Sequence, residues 1–173
     1  MKPRILTSAG FYGIALAVAL ADQLAKARVL ATLPEGDAAS IPLWPGVFHL
    51  THVHNRGAAF SMLEGRLAVI LIAGLLIAGA IVATERRAKG RLPRFQGIAL
   101  ALPLGGALGN LVDRVRFGYV VDFLDFRLIH FPVFNVADSA ITIGIGLLLL
   151  RSLLADRAEP DARTAAPLPE EGA

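Results

Sequence analysis

Cysteine is absent from the 173 residues, which removes disulfides, thiolate nucleophiles and Cys-based zinc sites together. Charge is scarce: 18% of residues are charged and 55% are hydrophobic, above the roughly 45–50% apolar share of soluble domains. Aromatics make up only 7%, while Leu, Ala, Ile, Val and Gly fill long runs, as in helices packed in lipid. The net charge of +3 would suit a nucleic acid. The basic residues sit beside the apolar runs, however, and read as membrane topology signals. Internal repeats are also lacking. Any hydrolysis must use Ser, His, Asp, Glu or a metal.

Four apolar stretches are present: Ser8–Leu30, Leu67–Thr84, Phe95–Val112 and Val133–Leu154. Each approaches the roughly 20 residues that cross a hydrocarbon core of about 30 Å, and lipid requires backbone hydrogen bonds to close within the segment. The expectation is an all-α integral membrane fold: four transmembrane helices over residues 1–155, with an extracytoplasmic insert at about 31–66. With four spans, Lys2, Arg4, Arg86, Arg87, Lys89, Arg91, Arg94, Arg151, Arg157 and Arg163 share one side, which should be the cytoplasm. The outer segment Ile41–Phe60 alternates as strands do, and Asn55-Arg56-Gly57 supplies a turn. The tail from Asp156 is rich in Pro, Ala and Glu and is expected to be disordered and cytoplasmic. A cleavable signal ending at Ala21 is the rival for the N-terminus. It would leave three spans and part the basic tail from the basic loop.

Acids near a membrane interior are costly, so each needs a reason. Asp22, Asp113, Asp122, Asp125 and Asp138 all lie toward the outer face. Asp22 and Lys26 are four apart, as are Asn110 and Arg114, and Asn135 and Asp138 are three apart, spacings that share a helix face. The loop after Asp113 can return Asp122 to the mouth of the fourth helix. Two facing carboxylates in a partly dry site share a proton, and one can activate water while the other donates to a carbonyl. Equally, Asp122 and Asp138 could serve only to satisfy Arg114 or helix N-termini. Asp122 and Asp125 have D-x-x-D spacing, which with Asp113 suggests a metal-dependent phospholipid head-group transferase. His49, His52 and His54 raise zinc, although interfacial histidines on a polar strand are commoner. A channel lined by acids is a third class, opposed by their clustering at one face. The glycines from Gly105 to Gly109, Gly106 among them, allow close helix approach.

Five blocks occur in order: Asp22–Lys26, Asn55–Phe60, Gly105–Arg114, Val121–Phe123 and Phe134–Asp138. Each is weak alone, but together, around four spans, they resemble the bacterial lipoprotein signal peptidases, the type II signal peptidases. The resemblance implies an aspartyl endopeptidase of the bacterial inner membrane, with both termini cytoplasmic and the active site near the outer face. It would cut signal peptides from lipid-modified prolipoproteins just before the diacylglyceryl-cysteine, without metal or other cofactor. The family's catalytic aspartates match Asp122 and Asp138. Its supporting positions match Asp22, Lys26, Asn55, Asn110, Arg114 and Asn135, with Gly106 in the same block. The family's small extracytoplasmic sheet fits the strand-like Ile41–Phe60 segment. Membrane lipid as a partner and sensitivity to the peptide antibiotic globomycin are implied as well.

Overall fold

The computed structural model describes residues 4–57, 65–129 and 131–156. The tail beyond 156, Lys2 and the Ala58–Phe60 end of the second block lie outside the described residues. Four helices carry the fold. Helix α1 (Ser8–Thr32) is capped by Thr7, whose hydroxyl accepts the Gly10 N–H at 3.2 Å. Helix α2 (Leu67–Arg87) ends on Arg86 and Arg87, where the helix dipole favours cations. Helix α3 (Arg94–Phe117) stops at Gly118, whose φ of 78° is the left-handed C-terminal position that glycine fills without steric cost. Helix α4 (Val136–Asp156) begins later than its apolar run. Asn135 caps it: its Oδ1 accepts the Asp138 N–H at 2.9 Å, and Asp138 Oδ2 accepts the Asn135 N–H at 3.2 Å. That reciprocal pair is a capping box.

Of the described helices, Leu67–Arg87, Arg94–Phe117 and Val136–Leu154 are long and apolar enough to cross a membrane. Mostly helical with small sheets, the chain therefore has the build of a multi-pass membrane protein.

Helix α3 is central, and small residues let its neighbours close on it. A Cβ on Gly105 would strike the Ala15 carbonyl and Val18 of α1, and one on Gly106 would strike the Ala137 carbonyl and Ile141 of α4. Pro103 lies inside α3 and cannot donate to the Ala99 carbonyl one turn back. Gly144 of α4 covers that carbonyl, so closely that a Cβ there would sit 2.7 Å from the Ala99 oxygen and overlap the Pro103 ring.

Two sheets lie at opposite ends. Strands β1 (Ile5–Leu6) and β4 (Leu92–Pro93) pair antiparallel beside the basic α2–α3 connection. At the other end, β2 (Ile41–Trp44), β3 (Phe48–Asn55) and β5 (Val120–Phe126) form an antiparallel sheet in the order β2-β3-β5. Its register sets Val53 opposite Asp122 and Asn55 opposite Val120. Val121 and Phe123 bury against Val29 and Leu33, seating the sheet on the end of α1. The first connection and the return between α3 and α4 thus meet in one sheet.

Candidate active site

The β3–β5 register carries Asn55 to Asp122, and the capping box fixes Asp138 on the first turn of α4. Asp122 is 1% exposed. Its Oδ2 accepts from Asn55 Nδ2 at 2.9 Å and its Oδ1 from Asn135 Nδ2 at 2.6 Å. Asp138 Oδ1 accepts from Asn110 Nδ2 at 2.8 Å. Asn135 Nδ2 also donates to Asn110 Oδ1 at 3.1 Å, so two amides connect the two carboxylates. Burial first, then the negative charge of Asp138, pushes Asp122 up to about 7, against the pull of the two amide bonds and the Lys26 charge. A carboxyl so placed holds a proton near neutral pH, as one member of an acid pair must.

Behind the amides sits a buried ionic cluster. Lys26 Nζ lies 2.8 Å from Asp22 Oδ2 and 2.9 Å from Asp113 Oδ2, and donates to Asn110 Oδ1 at 2.9 Å. Asp22 Oδ1 accepts the Ala137 N–H at 2.9 Å, a free donor of the first turn of α4. Asp113 Oδ2 accepts the Val121 N–H at 3.1 Å and Asp113 Oδ1 accepts from Gln23 Nε2 at 2.7 Å. Arg114 reaches forward, donating from one nitrogen to the Gly57 carbonyl at 3.0 Å and from another to the Asn110 carbonyl at 3.4 Å. Gly106 touches no site atom directly; it lets α4 approach at Ala137, one residue before Asp138.

A cavity of about 610 Å³ opens in front. Asn55, Asn110, Arg114 and Asp138 form its polar end, while Phe131 and Ile143 belong to its apolar wall. Asp138 lines the cavity directly, and Asp122 is hydrogen-bonded to Asn55, which also lines it. The fold thus brings Asp22, Lys26, Asn55, Asn110, Asp122, Asn135 and Asp138 into one hydrogen-bonded cluster, with Arg114 at its edge.

Among the described residues, no three His, Asp or Glu side chains are placed to hold a metal ion. Residues three apart on a strand face opposite ways, so Asp125 points away from Asp122. Its Oδ2 accepts from Thr51 Oγ1 at 2.6 Å and from Arg127 Nε at 2.8 Å. His49 contacts Ser40 and Gly46, and His52 Nδ1 lies 2.9 Å from the Leu33 carbonyl. His54 pairs with Glu35 at 3.0 Å and stacks on Tyr119 at 3.9 Å. The histidines brace the sheet. Sequence reasoning missed Gln23 and assigned Asp113 only a metal role. The usable signal was two further polar groups at the same depth as Asp22 in otherwise apolar runs.

Known proteins resemble this chain along most of its length. The family model described as signal peptidase (SPase) II matches residues 14–154. The lipoprotein signal peptidase of Brevibacillus brevis is 48% identical over 141 residues, covering 81% of this chain and 92% of that protein. That of Halothermothrix orenii is 43% identical over 139 residues, covering 80% and 92%. A bacterial membrane enzyme solved by the in meso method at 2.3 Å superposes with a TM-score of 0.83 at 31% identity, over 93% of this chain and 98% of that one.

Proposed function

The chain belongs to the signal peptidase II family, a protease that removes signal peptides from prolipoproteins, and from that premise we propose that Asp122 and Asp138 are its catalytic dyad. The observation that carries the reading is the pair of amides, Asn135 and Asn110, that joins two carboxylates at the polar end of an apolar cavity. Both acids are tied to donors, so neither is a stray surface charge.

Asp122, the more buried acid, holds the shared proton; Asp138, facing the cavity, is the ionised base. Asp138 takes a proton from water as the water oxygen bonds to the scissile carbonyl carbon, and Asp122 gives its proton to the carbonyl oxygen. The resulting gem-diol collapses: Asp138 returns its proton to the amide nitrogen, the C–N bond breaks, and Asp122 recovers a proton from a diol hydroxyl. Arg114, already holding the Gly57 carbonyl, has further N–H groups for a substrate carbonyl or the developing oxyanion. The apolar wall receives the hydrophobic signal segment and the diacylglyceryl chains of the modified cysteine. Globomycin, a peptide antibiotic, inhibits by occupying the same cavity.

Helix α1 is the fourth span. Its 25 residues reach about 37 Å at 1.5 Å per residue, and its buried charges are paired internally. Residues to about 155 form one peptidase unit with the outer sheet inserted after α1. Arg4, Arg86, Arg87, Arg91 and Arg94 gather at the β1–β4 end, and Arg151 joins them by donating to Gln96 at 2.6 Å. That end faces the cytoplasm of a bacterial inner membrane, with both termini, and the dyad lies near the outer face.

The test is cleavage of a lipid-modified prolipoprotein by purified protein in detergent, with and without chelator. Asp122→Asn and Asp138→Asn should each lose about 10²–10⁴-fold in turnover, the range for general acid–base groups. The double variant should be little worse than either, because the two act as a unit. Full activity in Asp138→Asn, or loss of wild-type activity to chelator, sinks the mechanism.

A further inference from the structure

Asp113 is 1% exposed, sits on α3 one residue before Arg114 and has no step in the cleavage chemistry. A buried carboxylate is costly unless it is paired and hydrogen-bonded, and an apolar replacement often serves stability as well. Its partners are therefore informative. Oδ2 takes the backbone N–H of Val121 at 3.1 Å and faces Lys26 Nζ at 2.9 Å. The first contact fixes β5 at the residue immediately before Asp122, where Val121 is fully buried. The second holds the ammonium that donates to Asn110 Oδ1 at 2.9 Å.

The orientation of the Asn110 amide depends on that ammonium. As placed, its oxygen accepts from Lys26 and from Asn135, and its nitrogen donates to Asp138. Turned over, the NH₂ would face an ammonium and another amide donor, and the oxygen would face a carboxylate. Every one of those bonds would be lost, so a located Lys26 permits one orientation only.

We propose that Asp113 is a positioning residue for the whole dyad: one carboxylate fixes Asp122 through the Val121 backbone and fixes Asp138 through Lys26 and Asn110. The inference rests on Asp122 and Asp138 being the dyad. Gln23, which donates to Asp113 Oδ1 at 2.7 Å, completes the acceptor and touches neither route.

The experiment compares Asp113→Asn with wild type in the full chain, measuring kcat, KM, the pH profile and thermal unfolding on a lipid-modified prolipopeptide. In Asp113→Asn the carboxamide nitrogen meets Lys26 or the Val121 N–H, so one route must open. A displacement of about 1 Å in a catalytic group costs about 10²-fold, so kcat should drop by about that factor while KM stays near wild type. Lys26, less neutralised, then favours ionised Asp122, and the alkaline limb of the profile moves to lower pH. A merely structural role would lower Tm and the active fraction, leaving the limb where it is. Should Asp113→Asn not fold, Asp113→Glu keeps the charge beside Lys26 but displaces the acceptor of the Val121 N–H, and kcat should again drop while KM stays near wild type. Wild-type kcat and an unmoved limb in the folded variant overturn the inference. If Asp122→Asn and Asp138→Asn are also active, the dyad itself fails; if they are dead, Asp113 alone is wrongly placed.

Discussion

Gly106→Ala adds one methyl group at a tight contact between α3 and α4. Its Cβ would overlap the Ala137 carbonyl and lie 2.8 Å from Ile141 Cγ1, where ordinary contact begins at 3.4 Å. The Ile141 side chain can turn aside, but the Ala137 carbonyl belongs to the backbone of the first turn of α4 and cannot. The helices must therefore part by several tenths of an ångström to 1 Å. Overpacking of this kind costs about 1–3 kcal/mol, partly offset by the roughly 1 kcal/mol that Ala gains over Gly inside a helix, so stability should fall only modestly. Activity should suffer more. Asn110 is one turn beyond Gly106, Asp138 is one residue past Ala137, and their 2.8 Å bond spans the gap that opens. A displacement of about 1 Å at reacting groups costs about 10²-fold. The assay is kcat/KM on a lipid-modified prolipopeptide in detergent, with a thermal melt on the same sample. Gly79→Ala and Gly146→Ala, whose Cβ positions meet nothing within 4 Å, serve as controls and should keep activity. Wild-type activity in Gly106→Ala would show that the contact between the helices does not set the dyad geometry.

Arg114→Lys retains the charge but loses the planar fork. Turnover should drop at least about tenfold, with normal membrane insertion; wild-type turnover in membranes matched for protein level would demote the residue to packing. Activity should decline on the alkaline side near pH 7, because Asp122, raised to about 7, then surrenders the shared proton; a profile flat through pH 9 contradicts the assignment. Asp125 behaves oppositely: burial alone would raise it, but the Thr51 and Arg127 bonds hold it below the ordinary carboxylate range. Its contribution to stability is full above the usual Asp pKa of about 3.9 and lost as pH falls through its folded value. Asp125→Asn should therefore lower Tm at neutral pH, with no difference in strong acid, and leave turnover nearly intact.

The helices were legible because a long apolar run in lipid must close its hydrogen bonds within itself, although α3 runs on past Val112 to Phe117 and α4 starts late. Val133 to Asn135 read as helix by hydropathy, yet Phe134 exchanges backbone bonds with Leu124 of β5 and Asn135 caps α4. The site was legible piecewise: spacings of three and four revealed Asn135 with Asp138 and Asp22 with Lys26. The β3–β5 pairing was not, since nothing local says that Asn55 will lie beside Asp122, 67 residues later. Asp113 drew only a metal role for the same reason, because Gln23, Lys26 and the Val121 N–H are brought to it only by the fold. β1 and β4, two residues each, are too short to leave a periodic signal.

Pro103 and Gly144 have a mechanical consequence. The Ala99 carbonyl, which Pro103 cannot satisfy, is seated against a bare Cα on the neighbouring helix and acts as a detent: sliding or rotating α4 would uncover a polar atom in hydrocarbon. Gly106 against Ala137 is a second stop on the same pair of helices, two turns away along α4. Pinned at two points, α3 and α4 form one plate, and Asn110 and Asp138 ride on it together. The 2.8 Å bond from Asn110 to Asp138 is thereby held by the packing of two helix backbones and not by its side chains alone.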